Sequence, residues 1–150
     1  MSEDLIQAAR EEIEAFNAGD WDRLAAGVTD DVVHEEPATG RRVQGKDALI
    51  ELNRAWREAY PDAAGTITDS FACGDRVALC ITWEGTQSGA LALPGGGQLA
   101  PTGKRVTVQA CQLFRLTDGK IAESTHYFDL LGMMEQLGTI DAEELAHSGS

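Results

Sequence analysis

The spacing of apolar residues changes once along the chain, near Pro61, and this change limits the fold more than any other feature. Before it, apolar residues recur every three or four positions, which predicts amphipathic helices. After it, β-branched and aromatic residues alternate with polar ones, which predicts strands. Helices followed by a run of strands are typical of an α+β domain, in which the helices pack on an antiparallel sheet.

Three helices are predicted before Pro61. The first ends at Ala18-Gly19, because glycine favours the left-handed stop of a helix. The second begins after Asp20, a residue type that caps helix N-termini. The third begins after Gly45, and a short strand, 32–34, is predicted between the second and third helices. The apolar faces of the helices consist of Leu5, Ile6, Ala9, Ile13 and Phe16; of Trp21, Leu24 and Val28; and of Leu49, Leu52, Trp56 and Tyr60.

The second half of the chain predicts a meander of antiparallel strands. The turn signals at 73–75 and 117–119 predict hairpins. A glycine-rich excursion over 89–103 is interpreted either as a floppy hairpin tip or as a lid over a ligand. A curved sheet that wraps the third helix would leave a cavity between them. The predicted strands are 66–72, 77–83, 105–116 and 120–128.

Charge excludes two classes of partner. The chain has 150 residues, with 25 acidic and 12 basic side chains and a formal net charge of -13. Nucleic acids and anionic membranes would repel such a surface, so neither is expected as a partner. Adaptation to high salt and ordinary acidity both account for this composition.

The three cysteines predict no disulfide framework. Cys73, Cys80 and Cys111 lie apart in apolar runs and form no CxxC pair, so we interpret them as buried, reduced thiols. The chain shows no leader sequence and no apolar run long enough to cross a membrane. Together these features predict a cytoplasmic protein.

Several short motifs, in their order and spacing, resemble one known family. They are Phe16-Asn17-Ala18-Gly19-Asp20; Gly85-Thr86 with Gly89; Pro101-Thr102-Gly103; Phe114-Arg115 followed by Asp118-Gly119-Lys120-Ile121; and Asp129 ahead of Gln136-Leu137-Gly138. By these motifs the chain resembles the SnoaL-like polyketide cyclases, of the nuclear transport factor 2-like superfamily.

The resemblance covers about residues 5–138 and implies a cone-shaped α+β barrel. Three N-terminal helices would pack on a strongly curved, mostly antiparallel sheet that encloses a pocket. A single domain would span 1–150, with a tail over 139–150. The superfamily hosts cyclases, ketosteroid isomerases, epoxide hydrolases and non-catalytic proteins, so the fold does not fix the reaction.

The family position for the acid/base residue falls on His126. In the polyketide cyclases an aspartate on the last strand moves a proton during aldol ring closure, and this chain departs from the family there. A neutral imidazole can accept and return a proton near neutral pH, so His126 could serve. Alternatively, His126 is a histidine of the pocket wall, bonded to a hydroxyl such as that of Thr125 or Tyr127. On the preceding strand, Gln112 matches a ligand-contacting histidine of the cyclases and Ala110 matches a glutamine.

A second candidate is the segment that ends with His34, Glu35, Glu36 and Pro37. Glu36 falls on the general-base aspartate of ketosteroid isomerases, and an apolar surrounding would raise its pKa. Glu36 and His126 could then form a catalytic acid/base pair, with His34 contacting the ligand. The alternative is a charged strand end beside a turn. The oxyanion-binding residues of the isomerases are absent, because Glu12 and Gln112 occupy their positions.

Other chemistries find less support in the sequence. The epoxide hydrolases of the superfamily require an Asp-Arg-Asp arrangement, whereas this chain has His126 on the last strand. His34 has no histidine at metal-ligand spacing, so no metal is expected. The glycines at 95–97 lack the strand-to-helix context of a phosphate loop, so no cofactor is expected either.

The sequence therefore leads to two hypotheses for function. One is cofactor-free acid/base catalysis on a small hydrophobic polyketide-like or cyclic substrate, such as aldol cyclisation; the other is non-catalytic binding of such a molecule, with ketosteroid isomerisation as a further alternative. A homodimer is expected, because both faces of the strand around 77–82 are too apolar for solvent. The apolar candidates for substrate binding are Trp56, Tyr60, Trp83 and Phe128.

Overall fold

The computed structural model describes residues 2–140. Most of the expected tail therefore lies outside the described residues. In chain order the elements are α1 (Ser2–Ala18), α2 (Trp21–Ala26), β1 (Val28–Glu36), β2 (Arg41–Gln44), α3 (Lys46–Ala59), β3 (Ala64–Cys73), β4 (Arg76–Thr86), β5 (Leu91–Ala92), β6 (Gln98–Leu99), β7 (Arg105–Thr117), β8 (Lys120–Phe128) and α4 (Leu130–Gln136).

The predicted α+β class is confirmed. One curved sheet has the strand order β2-β1-β8-β7-β4-β3, and β5 and β6 form a separate two-stranded hairpin. The β1–β8 pair is parallel and every other neighbouring pair is antiparallel. No helix among residues 2–140 is long and apolar enough to cross a membrane.

The structure differs from the sequence-based prediction mainly between α2 and α3. Val28 does not belong to a helical face; it is fully buried at the start of β1 and pairs with Ile121 of β8. The β2 strand was not predicted, because its Arg-Arg-Val-Gln sequence lacks a continuous apolar face. It pairs with β1, and the register brings Arg41 opposite Glu36.

The helices and the concave sheet face share one core. Ala9 and Ile13 of α1 and Leu49 of α3 pack against residues of the central strands, including Leu79 and Phe114. All five are almost fully buried. This packing holds α1 and α3 over the sheet and so fixes the walls of the cavity described below.

The glycine-rich excursion is closed at its base by one buried amide. The Nε2 atom of Gln87 donates to the carbonyl of Gly89 at 2.8 Å, and its Oε1 atom accepts from the Thr102 N–H at 2.8 Å. At Gly89 a Cβ atom would lie 1.9 Å from the carbonyl oxygen of Glu58, so only glycine allows this approach to α3. No residue of 89–103 lines the cavity, so the lid interpretation finds no support.

The prediction of three buried cysteines is wrong. Cys73 is exposed, and Cys80 and Cys111 are half-buried free thiols. The latter two are direct neighbours across β4 and β7. Their strand positions alternate with those that face the core, so they lie on the outer face of the sheet.

Candidate active site

A cavity lies between the concave face of the sheet and helices α1 and α3. Its walls are mainly aromatic and aliphatic, and its polar groups come from six different elements. The apolar lining residues are Ile13, Phe16, Leu52, Trp56, Tyr60, Ala63, Trp83, Gly85, Val106, Val108 and Phe128, and the polar ones are Glu12, His34, Glu36, Asn53, Glu84, Gln112 and His126.

Strand register brings the polar groups of the sheet together. Gln112 of β7 and His126 of β8 are direct cross-strand partners, and His34 of β1 lies beside Ser124 of β8. Because side chains alternate along a strand, Ser124 and His126 share the inner face, whereas Tyr127 points outward and is 49% exposed. Three neighbouring strands thus present polar side chains to one region.

Glu36 is a buried carboxylate held by three donors. Its Oε1 atom accepts from the Arg41 guanidinium at 3.0 Å and from the Thr39 hydroxyl at 3.1 Å, and its Oε2 atom accepts from the Trp56 indole N–H at 2.7 Å. Burial alone would raise the pKa of Glu36. The adjacent His34 ring, the Arg41 charge and the Trp56 N–H together outweigh burial and lower the pKa to about 2.

This result corrects the expectation for Glu36. The sequence predicted a raised pKa, as for a carboxyl group in an apolar cone, because the donors on β2 and α3 could not be foreseen. At neutral pH Glu36 is ionised and holds no proton to transfer. Its position suits a fixed anion that orients its neighbours.

His34 lies between that anion and a serine. Its Nδ1 atom is 2.5 Å from the Ser124 hydroxyl oxygen, and its Nε2 atom is 3.9 Å from the Oε2 atom of Glu36. Both ring nitrogens therefore have polar neighbours, which fixes the ring plane. His34 and Ser124 are each at least 96% buried, so the contact is shielded from water.

His126 is positioned by Trp83. The indole Nε1–H donates to Nε2 of His126 at 3.2 Å. An indole nitrogen can only donate, so Nε2 is the acceptor and the neutral ring carries its proton on Nδ1. The position of the Trp83 ring requires a glycine at position 65 of the neighbouring strand β3. A Cβ atom at Gly65 would lie only 2.7 Å from the indole ring.

The His126 ring is neutral at pH 7. Burial lowers its pKa most strongly, the charge of His34 adds to this, and the Glu36 carboxylate opposes it, which leaves a pKa of about 4. Among the described residues no side chain bonds to Nδ1. The alternative partners considered from the sequence, Thr125 and Tyr127, make no hydrogen bond to the ring in this part of the chain.

Glu12 lines the cavity, although it was not predicted as a site residue from the sequence. It lies on the buried face of α1 and is 7% exposed. Burial raises its pKa, against opposing effects of the His34 charge and of a hydrogen bond from Gln112. A signal was available: Glu12 occurs between Ala9, Ile13 and Phe16 on the apolar face of the helix, where a charged residue is unusual.

The structure brings most of the predicted site residues to the cavity wall. Ala110 is the exception: it has the strand parity of Val108 and Gln112, but its methyl group packs against the core. Arg41 was missed together with β2, although the Pro37–Gly40 turn beside it was a usable signal. The predicted residues that line the cavity are His34, Glu36, Trp56, Tyr60, Trp83, Gln112, His126 and Phe128.

Comparison with known proteins identifies relatives of this fold. The family model for the SnoaL-like polyketide cyclases matches residues 6–137. No curated protein sequence matches the chain significantly. Among solved structures, IdmH of Streptomyces antibioticus, a candidate polyketide cyclase, is 26% identical with a TM-score of 0.74, over 88% of this chain and 96% of that one.

Two further structures share the fold at lower identity. A candidate SnoaL-like cyclase from Jannaschia sp. CCS1 is 21% identical with a TM-score of 0.81, over 93% of this chain and 95% of that one. A LEH-like epoxide hydrolase of M. tuberculosis is 23% identical with a TM-score of 0.70, over 91% and 90% of the two chains. The shared fold thus accommodates proteins with different described activities.

Proposed function

Because the chain belongs to the SnoaL-like polyketide cyclase family, we propose that it catalyses proton transfer on a small hydrophobic carbonyl compound without a cofactor. The reaction is of the kind needed for intramolecular aldol ring closure. His126 is the acid/base residue, and the Gln112 amide positions the carbonyl group.

The proposed steps conserve every proton. His126 removes a proton from the carbon next to the carbonyl group, which leaves an enolate. The enolate carbon attacks a second carbonyl carbon of the same molecule, a new carbon–carbon bond closes the ring, and the resulting alkoxide takes the proton back from the imidazolium. A pKa of about 4 leaves the imidazole unprotonated at pH 7, and the Glu36 carboxylate opposes the loss of basicity that burial causes.

The main support is the placement of His126 in an aromatic cavity, directly across from Gln112 on the neighbouring strand. Glu36 assists without carrying the proton, since its charge favours the imidazolium form of His126. An isomerase-type role for Glu36 is not supported, because a carboxylate with a pKa of about 2 is a weak base.

One observation favours the alternative of non-catalytic binding. The lone pair of Nε2 in His126 already accepts the Trp83 N–H. Catalysis by this nitrogen requires that the substrate displace the indole, whereas a pure binding site has no such requirement. The two accounts therefore differ in whether a bound ketone displaces the Trp83 N–H from Nε2 of His126.

Exchange of α-hydrogens tests the catalytic proposal. Enolisation of a bicyclic aryl ketone, 1-tetralone, in deuterated buffer can be followed by NMR. His126→Ala should slow enzyme-dependent exchange by about a hundredfold, the usual contribution of a positioned acid/base group. His126→Asn places an amide N–H near the position of Nδ1–H without a basic nitrogen, so it should also be slow.

The matched control is Thr125→Ala, one residue away on the same strand, which should exchange at the wild-type rate. Wild-type exchange rates in both His126 variants would leave small-molecule binding as the function of the cavity.

A further inference from the structure

Two groups of the cavity wall, the Glu12 carboxyl group and the Tyr60 hydroxyl group, have a buried oxygen without a hydrogen-bond partner among the described residues. Glu12 lines the cavity from α1, and its Oε2 atom is buried without any hydrogen-bond partner in the described part of the chain. The Gln112 side chain is near enough to Glu12 to lower its pKa, while Oε2 itself has no hydrogen-bond partner. Buried polar atoms are nearly always bonded, so an orphan atom at a cavity wall indicates a missing partner.

The charge of His34 opposes the effect of burial on the pKa of Glu12 but does not cancel it. Arg23, which lies near α1, pairs instead with Glu11 and Glu14. Arg41 is bonded to Glu36, and no Lys or Arg among residues 2–140 forms an ion pair with Glu12. Burying a carboxylate beside a single amide costs much more desolvation free energy than burying the neutral acid. The neutral acid also has an O–H group to donate.

We propose that Glu12 contacts the substrate directly, with Oε2–H donating a hydrogen bond to the carbonyl oxygen beside the amide of Gln112. This inference rests on the proposed function for the reaction but needs only ligand binding. When the substrate enolises, negative charge grows on the oxygen that Glu12 holds. A donor placed there in a water-poor site stabilises the charge as it develops.

The arrangement also defines a ligand class. Among the described residues no Lys or Arg lines the cavity, whereas the Glu36 carboxylate does. A carboxylate or phosphate ligand would be repelled, whereas an uncharged carbonyl compound would not. The aromatic walls, including Trp56 and Phe128, favour a planar ring system. The geometry thus fits a neutral, planar ketone.

Infrared difference spectroscopy tests the protonation state without any substrate. At neutral pH, the wild type minus Glu12→Gln spectrum should contain the C=O band of a carboxylic acid. The matched control is Glu14→Gln on the same helix, whose side chain is 44% exposed in an ion pair with Arg23; its difference spectrum should contain carboxylate bands. Carboxylate bands in the Glu12 difference would overturn the proposal.

Binding of two probes tests the contact. The wild type should bind 1-tetralone more tightly than its hydrocarbon counterpart tetralin. Glu12→Leu should weaken binding of the ketone about tenfold, as expected for the loss of one buried hydrogen bond, without weakening binding of tetralin. Glu12→Gln keeps an N–H donor and should bind the ketone within about threefold of the wild type.

Equal affinities of the wild type for the two probes, or equal weakening of both in Glu12→Leu, would contradict the proposal. Thermal melting of each variant shows that it is folded. The outcomes are separable from those for His126. A failed Glu12 test leaves proton transfer by His126 in place, and a failed His126 test leaves Glu12 as a ligand contact in a non-catalytic cavity.

Discussion

Replacing Glu36 by glutamine should remove a defined, pH-dependent part of the stability. The amide keeps the size of the side chain but cannot carry the charge that Arg41, Thr39 and Trp56 bind in the folded protein. The Glu36 side chain is 1% exposed. Solvent screening therefore weakens these interactions little, and the pKa difference can be converted into free energy.

The magnitude follows from the pKa of Glu36. A difference of one in pKa corresponds to about 1.4 kcal/mol. Lowering the pKa from 4.5 to about 2 on folding therefore stabilises the protein by about 3 kcal/mol at pH 7. Because the folded state has the lower pKa, this contribution is complete above pH 4.5 and is lost as the pH falls through 2. At pH 3 about 1 kcal/mol remains.

Urea unfolding of the wild type and Glu36→Gln at several pH values between 3 and 7 measures this contribution. The difference in free energy of unfolding between the two proteins should be about 2 kcal/mol larger at pH 7 than at pH 3. Glu35→Gln is the matched control: its side chain is 47% exposed in an ion pair with Arg42, and such pairs contribute less than about 1 kcal/mol. A Glu36→Gln difference that does not change with pH would refute the reasoning.

Two further predictions concern the surface. The outer face of the sheet exposes Phe71, Leu113 and Tyr127, so we expect two copies of the chain to form a homodimer through this face. Leu113→Glu should dissociate the dimer. Sedimentation of the wild type at micromolar concentration as a 16 kDa species alone would contradict this expectation. If the net charge of -13 reflects adaptation to high salt, the melting temperature should rise from low to molar salt as carboxylate repulsion is screened; a flat or falling midpoint would indicate ordinary acidity.

Elements with a strong period were predictable from the sequence, and the β1–β2 hairpin was not. Helix α3 carries an unbroken apolar stripe and strand β8 begins directly after a clear turn signal, and both were predicted close to their observed ends. Strand β2 has four residues with alternate half-buried positions, too short for a period to emerge. Its pairing with β1 follows the Pro37–Gly40 turn and places Arg41 opposite Glu36 and Arg42 opposite Glu35.

The charge states of the two glutamates of the cavity could not be predicted from the sequence either. Glu12 and Glu36 are both buried, and burial raises the pKa of each. They differ only in their partners: Arg41 on β2 and Trp56 on α3 reach Glu36, whereas Glu12 has the Gln112 amide. Trp56 and Gln112 are far in sequence from the glutamates they contact. Arg41 is close to Glu36, but only through the hairpin that was not predicted. Positions in the cavity could therefore be inferred from strand alternation, but the charge on each acid required the three-dimensional contacts. Glu36 is thereby held as an anion beside His34, and Glu12 is left as the group able to donate a proton in a hydrogen bond to a ligand.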